Sequence, residues 1–237
     1  MNRIINKLMV AICTVASLSL VGCYKAQSDY KKDPHTLDPH LYKTAWQYLS
    51  DRANGVAAPG DTLFRFMWQG IQYAGIDTNI YNQTGKTFIL LHNDAIRRLD
   101  KNVIQPDCFF GANLVNGKAA TKWSDYPKDF VKNYFLYLLL DDVYDHYTLP
   151  GIDNVTVNTQ APAGSLSSLP AGVTRSTFTP NVNSEMKIKV LNSSPSNTSD
   201  YPIVLNNVLN VRTSSLLATN GSIHVIDRFL TTTVPAE

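Results

Sequence analysis

The stretch "NGSIHVIDRFL", from Asn220 to Leu230, carries the strongest information about the fold of this chain. Its centre is a short apolar run, and the Asn-Gly pair before it is typical of a tight turn that leads into a strand. Successive side chains of a strand point to opposite faces, so Ile223 and Val225 share one face. His224 and Ile226 share the other face. Both faces are therefore largely apolar, which predicts a strand buried between two packed layers.

His224 and Asp227 are two polar residues inside this predicted strand. A buried histidine must find hydrogen-bond partners, because leaving a polar group unpaired in the interior costs free energy. We therefore predict that His224 and Asp227 are internal polar ties, which link the strand to a neighbouring loop or helix start, and are not members of an active site.

Helical patterns dominate the first half of the chain and short β-rich runs dominate the second half. Helical spacing is found in "LYKTAWQYLSDR" from Leu41, in "LFRFMWQGIQYAGI" between a predicted Asp61-Thr62 cap and Gly75, in "NDAIRRLD" from Asn93 or Asp94, and in "YPKDFVKNYFLYLLLDDV" from Tyr126. Strands are predicted in "KTFILLH", "VTVNT", "TRSTFTP", "MKIKVLN", "PIVLNNVL" and "SIHVIDRFL", with "NSSPSNTSDYP" as a hairpin connection. This segregation predicts an α+β domain and not an alternating βαβ fold.

The N-terminus has the pattern of an export signal. Two basic residues precede "LMVAICTVASLSLV", an apolar run too short for a permanent membrane span, and the run ends at "LVGC". This tetrapeptide resembles the lipobox of bacterial lipoproteins, which implies cleavage after Gly22 and lipidation of Cys23 by acyl chains such as palmitate. The residue that follows Cys23 is Tyr24 and not aspartate. By the same resemblance, this implies export to the outer membrane and not retention in the inner membrane. The alternative is an ordinary secretory signal.

The chain therefore divides into a signal peptide (1–22), a polar tether (23–41) and a domain (42–237). Removing the signal removes two of the 21 Lys and Arg residues and none of the 19 Asp and Glu residues, which leaves 19 of each. A neutral chain without a basic run argues against a nucleic-acid partner. Cys108 is then the sole cysteine besides the predicted anchor, and its apolar surroundings predict a buried structural thiol.

Two segments of the chain contain clusters of metal-ligating residue types. The first is the tether repeat "DPHTLDPH", which contains Asp33, His35, Asp38 and His40; the second is "LLLDDVYDHYTL", which contains Asp141, Asp142, Asp145 and His146. A flexible tether seldom holds ligands in fixed geometry, and the second cluster reads equally as the polar end of a helix. Calcium binding and acid–base chemistry at the second cluster remain alternatives. We predict no metal and no cofactor.

The run from Asn220 to Leu230 closely resembles the C-terminal signature of fasciclin-type (FAS1) domains. The matching residues are Asn220, Gly221, Ile223, His224, Ile226, Asp227 and Leu230. The family's first signature is similar to "YAGI" followed by "KTFILLHNDAI", with Thr87 and Ala95 in place, although Leu90-Leu91-His92 replaces its Ala-Pro-Thr core. The resemblance covers residues 42–232 and implies a β-wedge of two sheets with helices packed on one side, with insertions near 100–125 and 155–200.

This resemblance implies a lipid-anchored adhesion or interaction module on the outer membrane, facing the periplasm or the cell surface, with a protein or glycan partner and no catalysis. The alternative is an accessory glycan-binding lipoprotein of a nutrient-uptake complex, which would stack sugars on exposed aromatic residues. Of Trp46, Trp68 and Trp123, Trp123 lies in the most polar context and is the predicted candidate. An enzyme would need His92, His146 or His224 beside a carboxylate in an open cleft.

Overall fold

The computed structural model describes residues 38–150, 154–191 and 202–234, and the part from Pro39 onward forms one compact unit. Cys23, Asp33, His35 and most of the "NSSPSNTSDYP" connection lie outside these ranges. The helices are α1 (Ala45–Ala53), α2 (Arg65–Ala74), α3 (Asn93–Ile96), α4 (Phe109–Ala112) and α5 (Lys128–Tyr137), with 3-10 turns at Thr78–Asn82 and Trp123–Asp125. The strands are β1 (Lys86–Leu91), β2 (Leu99–Asp100), β3 (Val103–Ile104), β4 (Leu114–Val115), β5 (Leu139–Asp141), β6 (Val155–Asn158), β7 (Val173–Thr174), β8 (Glu185–Val190), β9 (Ile203–Leu205), β10 (Leu209–Asn210), β11 (Thr213–Ala218) and β12 (Gly221–Ile226). The α+β class is confirmed.

The main sheet has the strand order β11-β12-β1-β5. β12 pairs in parallel with β1 over its whole length, from Lys86 opposite Gly221 to Leu91 opposite Ile226. The residues of β12 from Ser222 to Ile226 are all buried, which confirms the strand between two packed layers. The predicted strand "KTFILLH" is thus the central partner of the last strand.

Gly221 makes this pairing possible. A Cβ atom at this position would lie 1.9 Å from the backbone oxygen of Lys86, so any larger residue would push the two strands apart. The turn before β12 differs from the prediction, because Ala218 already pairs with Gly221 and the turn residues are Thr219 and Asn220. The asparagine is the second residue of the turn, and the glycine is the first residue of the strand.

The second sheet has the strand order β10-β9-β8-β6 and is antiparallel throughout. Val190 pairs with Ile203, so β8 and β9 form a hairpin around residues 191–202, as predicted. The two sheets connect beside β5, where an isolated bridge joins Leu140 to Thr159 and the amide of Gln160 donates to Leu139.

The first two helices begin and end for different local reasons. α1 has a capping box, in which Thr44 accepts from the amide of Gln47 while the Gln47 side chain accepts from the amide of Thr44. α2 begins at Arg65 with Phe64 before it and no side-chain cap, so the predicted Asp61-Thr62 cap is wrong. Gly75 ends α2 in the left-handed conformation, with φ of 65°, as predicted.

The longest predicted helix is shorter than expected. α5 ends at Tyr137, and the apolar run continues as β5, whose Leu139 and Leu140 are fully buried. The amide of Ile89 donates to the oxygen of Leu138, which brings this segment against β1. Sheet pairing with β1 therefore overrides the helical pattern.

Strand β11 was not predicted, because its first half is polar. Its pairing with β12 shifts between Thr213 and Leu216, and Ser215 within this bulge has a φ of 56°. The domain also begins earlier than residue 42, because Leu41 donates to Leu217 and the amide of Leu217 donates to Pro39. The last residues assigned to the tether thus belong to the sheet. In the ranges described, no helix combines the length and the apolar character required to cross a membrane.

Candidate functional site

His224 is fully buried and makes two hydrogen bonds. The amide of Ser215 donates to Nδ1 at 3.1 Å, so the proton is on Nε2, which donates to the oxygen of Tyr144 at 2.8 Å. Burial lowers the pKa of His224 to about 4, because the charged imidazolium would lose its hydration. The predicted role as an internal tie is confirmed: His224 is a neutral link from β12 to β11 and to the loop after β5.

Thr87 holds the same loop from the neighbouring strand. Its hydroxyl donates to the oxygen of Asp142 at 3.0 Å and accepts from the amide of Tyr144 at 2.8 Å. Residues of the two sequence motifs, distant in the chain, therefore bind the amide and the carbonyl of one residue, Tyr144. Ala95, the other matched residue of the first motif, is buried in α3.

Asn220 connects β12 to the N-terminal part of the domain. Its Oδ1 accepts from the amide of Ala45, the first residue of α1, at 2.9 Å. Its Nδ2 donates to the oxygens of Tyr81 and Gln83 at 2.9 and 3.0 Å. The side chain thereby satisfies one of the free amides at the start of the helix and two turn carbonyls. Ile223, Ile226 and Leu230 are fully buried in the core.

Asp227 is not the internal tie that was predicted. Its side chain is 26% exposed and pairs with Arg212 at 3.2 Å and with Arg228 at 3.3 Å. It follows Ile226, the last residue of β12 that pairs with β1, so it leaves the interior at the end of the strand. This ion pair at the surface contributes little stability by itself.

Trp123 is buried, so its predicted exposure is wrong. It is 6% exposed, packs against Phe109, Phe110 and Phe135 at ring-centre distances of 5.0–5.3 Å, and donates from Nε1 to the oxygen of Phe66 at 2.8 Å. It contacts α2 at Gly70, where a Cβ atom would lie 2.8 Å from the indole. The polar sequence around Trp123 is a loop that covers the core, and the indole points inward.

The carboxylates of "LLLDDVYDHYTL" do not converge. Asp141 binds Lys86 at 2.8 Å and Gln160, whereas Oδ1 of Asp145 accepts from the amides of Tyr147 and Thr148. Over residues 38–150, 154–191 and 202–234, no three His, Cys, Asp or Glu side chains are grouped as metal ligands. Nδ1 of His146 lies 2.6 Å from the hydroxyl of Ser215. Cys108 is buried and donates to Gln105, in agreement with a structural thiol.

A depression of about 290 Å³ lies beside the end of the motif strand. It is lined by Tyr48, Arg52, Leu63, His92, Arg212, Thr213, Leu216 and Val225. We call it the motif depression. Of the three histidines considered for catalysis, His92 is the one that lines it.

The charged groups of the motif depression are paired with neighbours. Arg52 donates to Asp61 at 2.8 Å and to the hydroxyl of Tyr48 at 2.9 Å, and Arg212 pairs with Asp227. Leu63, Leu216 and Val225 contribute apolar side chains to the same lining. The depression thus combines apolar side chains with nearly balanced charge.

His92 is held as a hydrogen-bond acceptor. Its Nδ1 accepts from the amide of Asp94 at 3.0 Å and caps α3, and the carboxylate of Asp94 lies 3.3 Å from the same nitrogen. Burial lowers its pKa, while Asp94 opposes that effect and Arg212 adds to it. The imidazole is therefore neutral near pH 7 with its proton on Nε2, and it acts as a cap.

No protein-family model matches the chain, and no curated protein matches it significantly. The sequence contains one local indication of the motif depression, because Tyr48 and Arg52 are four residues apart and share one face of α1. No local sequence pattern indicates Arg212 as a residue of this depression, because only the pairing of β11 with β12 brings it close to Asp227.

Proposed function

We propose that this chain is a lipid-anchored, non-catalytic interaction module with a fasciclin-like fold. It is held at the outer membrane through Cys23 and binds an extracellular protein partner through the motif depression. The observation that supports the proposal most is the composition of this depression, which combines apolar side chains with arginines that are paired with carboxylates.

The fasciclin-like fold is supported by the positions of the matched residues. Gly221 permits the parallel pairing of β12 with β1, and Thr87 and His224 hold the same loop residue from adjacent strands. Asn220 joins the last strand to α1. Each interior polar residue of the proposed signature therefore has a structural role. Such roles are expected of residues that define a fold and are not required of residues in a catalytic motif.

A protein partner fits the motif depression by its chemistry. Protein interfaces combine an apolar centre with a polar rim, and their charged groups contribute to orientation and specificity. Leu63 and Leu216, which are half-buried, provide apolar contact area, and Arg52 and Arg212 provide hydrogen-bond donors. Because Asp61 and Asp227 already neutralise the two arginines, the site does not demand a strongly acidic partner.

Catalysis is disfavoured by the state of His92, because its Nδ1 is occupied as the cap of α3. A general base needs a free nitrogen within reach of the proton that it removes. The glycan-binding alternative had Trp123 as its candidate for stacking on sugars, and this side chain is in the core. Trp46 and Trp68, the other two tryptophans, are half-buried and pack against the core. We therefore retain the protein partner as the proposal.

The anchor is tested by metabolic labelling with an alkyne fatty acid. The wild-type chain should be labelled and recovered with the outer-membrane fraction, and Cys23→Ser should be unlabelled. Cys108→Ser is the matched control, because this thiol is buried and should not affect labelling. Labelling that persists in Cys23→Ser would contradict the anchor.

The binding site is tested by site-specific photo-crosslinking on intact cells. A photoreactive amino acid replaces Thr213, an exposed residue on the border of the motif depression, or Gln69, an exposed residue of α2 outside it. A discrete protein adduct should form from position 213 and not from position 69. Equal adducts from both positions, or none from position 213, would contradict the proposed contact surface.

A further inference from the structure

Arg175 is a largely buried arginine whose charge has no carboxylate partner. It follows β7 directly and donates from Nε and Nη2 to Oδ1 of Asn113 at 2.9 and 2.7 Å, and from Nη1 to the hydroxyl of Thr232 at 3.2 Å. All of these acceptors are neutral. Among the residues that the structure describes, no Asp or Glu forms an ion pair with it.

Burying this charge is costly, since a cation taken out of water is normally paired with an anion. Burial lowers the pKa of Arg175 to about 10, which still leaves the guanidinium charged at neutral pH. Phe229 offsets part of the cost, because its ring centre lies 4.9 Å from Cζ of the guanidinium.

The guanidinium retains unused donors. It has five N–H groups, and the three hydrogen bonds to Asn113 and Thr232 use three of them. One N–H on each terminal nitrogen remains. The two oxygens of a carboxylate can accept from two N–H groups of one planar guanidinium as a bidentate pair.

Arg175 also lines a cavity of about 270 Å³, which shares no lining residue with the motif depression. Ala112, Leu114 and Phe229 contribute apolar surface, and Ser176, Thr177 and Thr231 contribute hydroxyl groups. A cavity of this size with a single cation matches a compact ligand with one negative charge, whereas a phosphate dianion would call for more cations or amides.

We propose that this cavity binds the carboxylate of a small organic acid, with Arg175 as the anion-binding residue and the hydroxyl groups orienting the rest of the ligand. The carboxylate could come from an acidic sugar or from the end of a peptide chain. The inference goes beyond the proposed protein-interaction function and does not depend on it.

An ordered water molecule is the competing occupant. Arg175 also borders a small space of about 10 Å³ next to Ser165, whose hydroxyl is buried and has no partner among the described residues. This space has room for about one water molecule. One water there would use one of the two remaining donors, so it does not account for both donors or for the larger cavity.

The test is an NMR titration of the full chain in a neutral detergent with three probes. Glucuronate represents an acidic sugar, N-acetylalanine represents a peptide end, and glucose is the uncharged analogue of the first probe. The variants are Arg175→Met, which removes the charge, and Ala112→Leu, which fills part of the cavity and leaves Arg175 in place. Arg65→Met is the control, because Arg65 is exposed on α2.

At least one of the two carboxylates should bind the wild-type chain and the Arg65→Met variant, and the one that binds identifies the source. The affinity should fall by about tenfold or more in Arg175→Met and in Ala112→Leu, the loss expected when a charged hydrogen-bonding partner or the ligand space is removed. If Arg175→Met does not fold, Ala112→Leu still decides the result. Binding of neither acid, equal binding of glucose and glucuronate, or undiminished binding in the folded variants overturns the proposal.

Discussion

Acidification should destabilise this protein through His224. The folded chain holds this imidazole neutral in the core, whereas the unfolded chain exposes it to water with its ordinary pKa. Between these two pKa values the unfolded state binds more protons than the folded state. Stability is therefore fully present above the unfolded pKa and is lost as the pH falls.

The size of the effect follows from the two pKa values. The folded value of about 4 lies below the ordinary value of 6.5 by about 2.5, which corresponds to about 3 kcal/mol once the pH is below both values. At pH 5.0 about 2 kcal/mol of this should already be lost, because the unfolded state is then almost fully protonated at this site and the folded state is not.

The assay is urea unfolding at pH 7.5 and pH 5.0, followed by tryptophan fluorescence, on the chain from Tyr24 onward. Wild type is compared with His224→Gln, whose amide can both donate to Tyr144 and accept from Ser215 but does not titrate. His92 contributes in the same direction, but it is present in both proteins and cancels in the comparison.

The wild type should lose about 2 kcal/mol more than His224→Gln between the two pH values. Equal losses in the two proteins would refute the buried, neutral state of His224. A wild type that gains stability at pH 5.0 relative to the variant would show that the folded state prefers the imidazolium, which is the opposite of the argument from burial.

Two further substitutions test the packing around the motif strand and the loop at Trp123. Gly221→Ala should lower the free energy of unfolding by about 3 kcal/mol or more, or prevent folding, because its Cβ would meet the backbone oxygen of Lys86. Thermal unfolding measures this, with Ser222→Ala as the control variant. A loss below about 1 kcal/mol in Gly221→Ala would contradict the close approach of the two strands. Trp123→Ala should lower the free energy of unfolding by about 3–5 kcal/mol, because it leaves a cavity in the core. Urea unfolding measures this loss, and unchanged stability would mean that the indole is exposed.

The buried character of the last strand could be predicted from the sequence because it is local information. The apolar run from Ile223 to Ile226 contains one histidine, and only a buried strand with a satisfied polar group suits that composition. The end of α2 at Gly75 was equally local, since glycine adopts the left-handed conformation without a steric penalty.

Other elements depended on partners that are distant in the chain. The run after Tyr137 has a helical pattern, but it forms strand β5 because its backbone pairs with β1. β11 has a polar first half and becomes a strand because β12 pairs with it. Trp123 lies among polar residues and is buried because α2 has a glycine, Gly70, where the indole packs.

The sequence by itself determined the α+β class, the end of α2 at Gly75 and the interior role of His224, because these depend on periodicity, steric preference and the free-energy cost of unpaired polar groups. Only the tertiary structure decided that Thr87 and His224 hold the same residue, that Arg212 meets Asp227, and that Arg175 is largely buried with no carboxylate partner among the described residues. These facts depend on which distant segments the folded chain brings within a few ångströms of one another, and such contacts leave no periodic trace in the sequence.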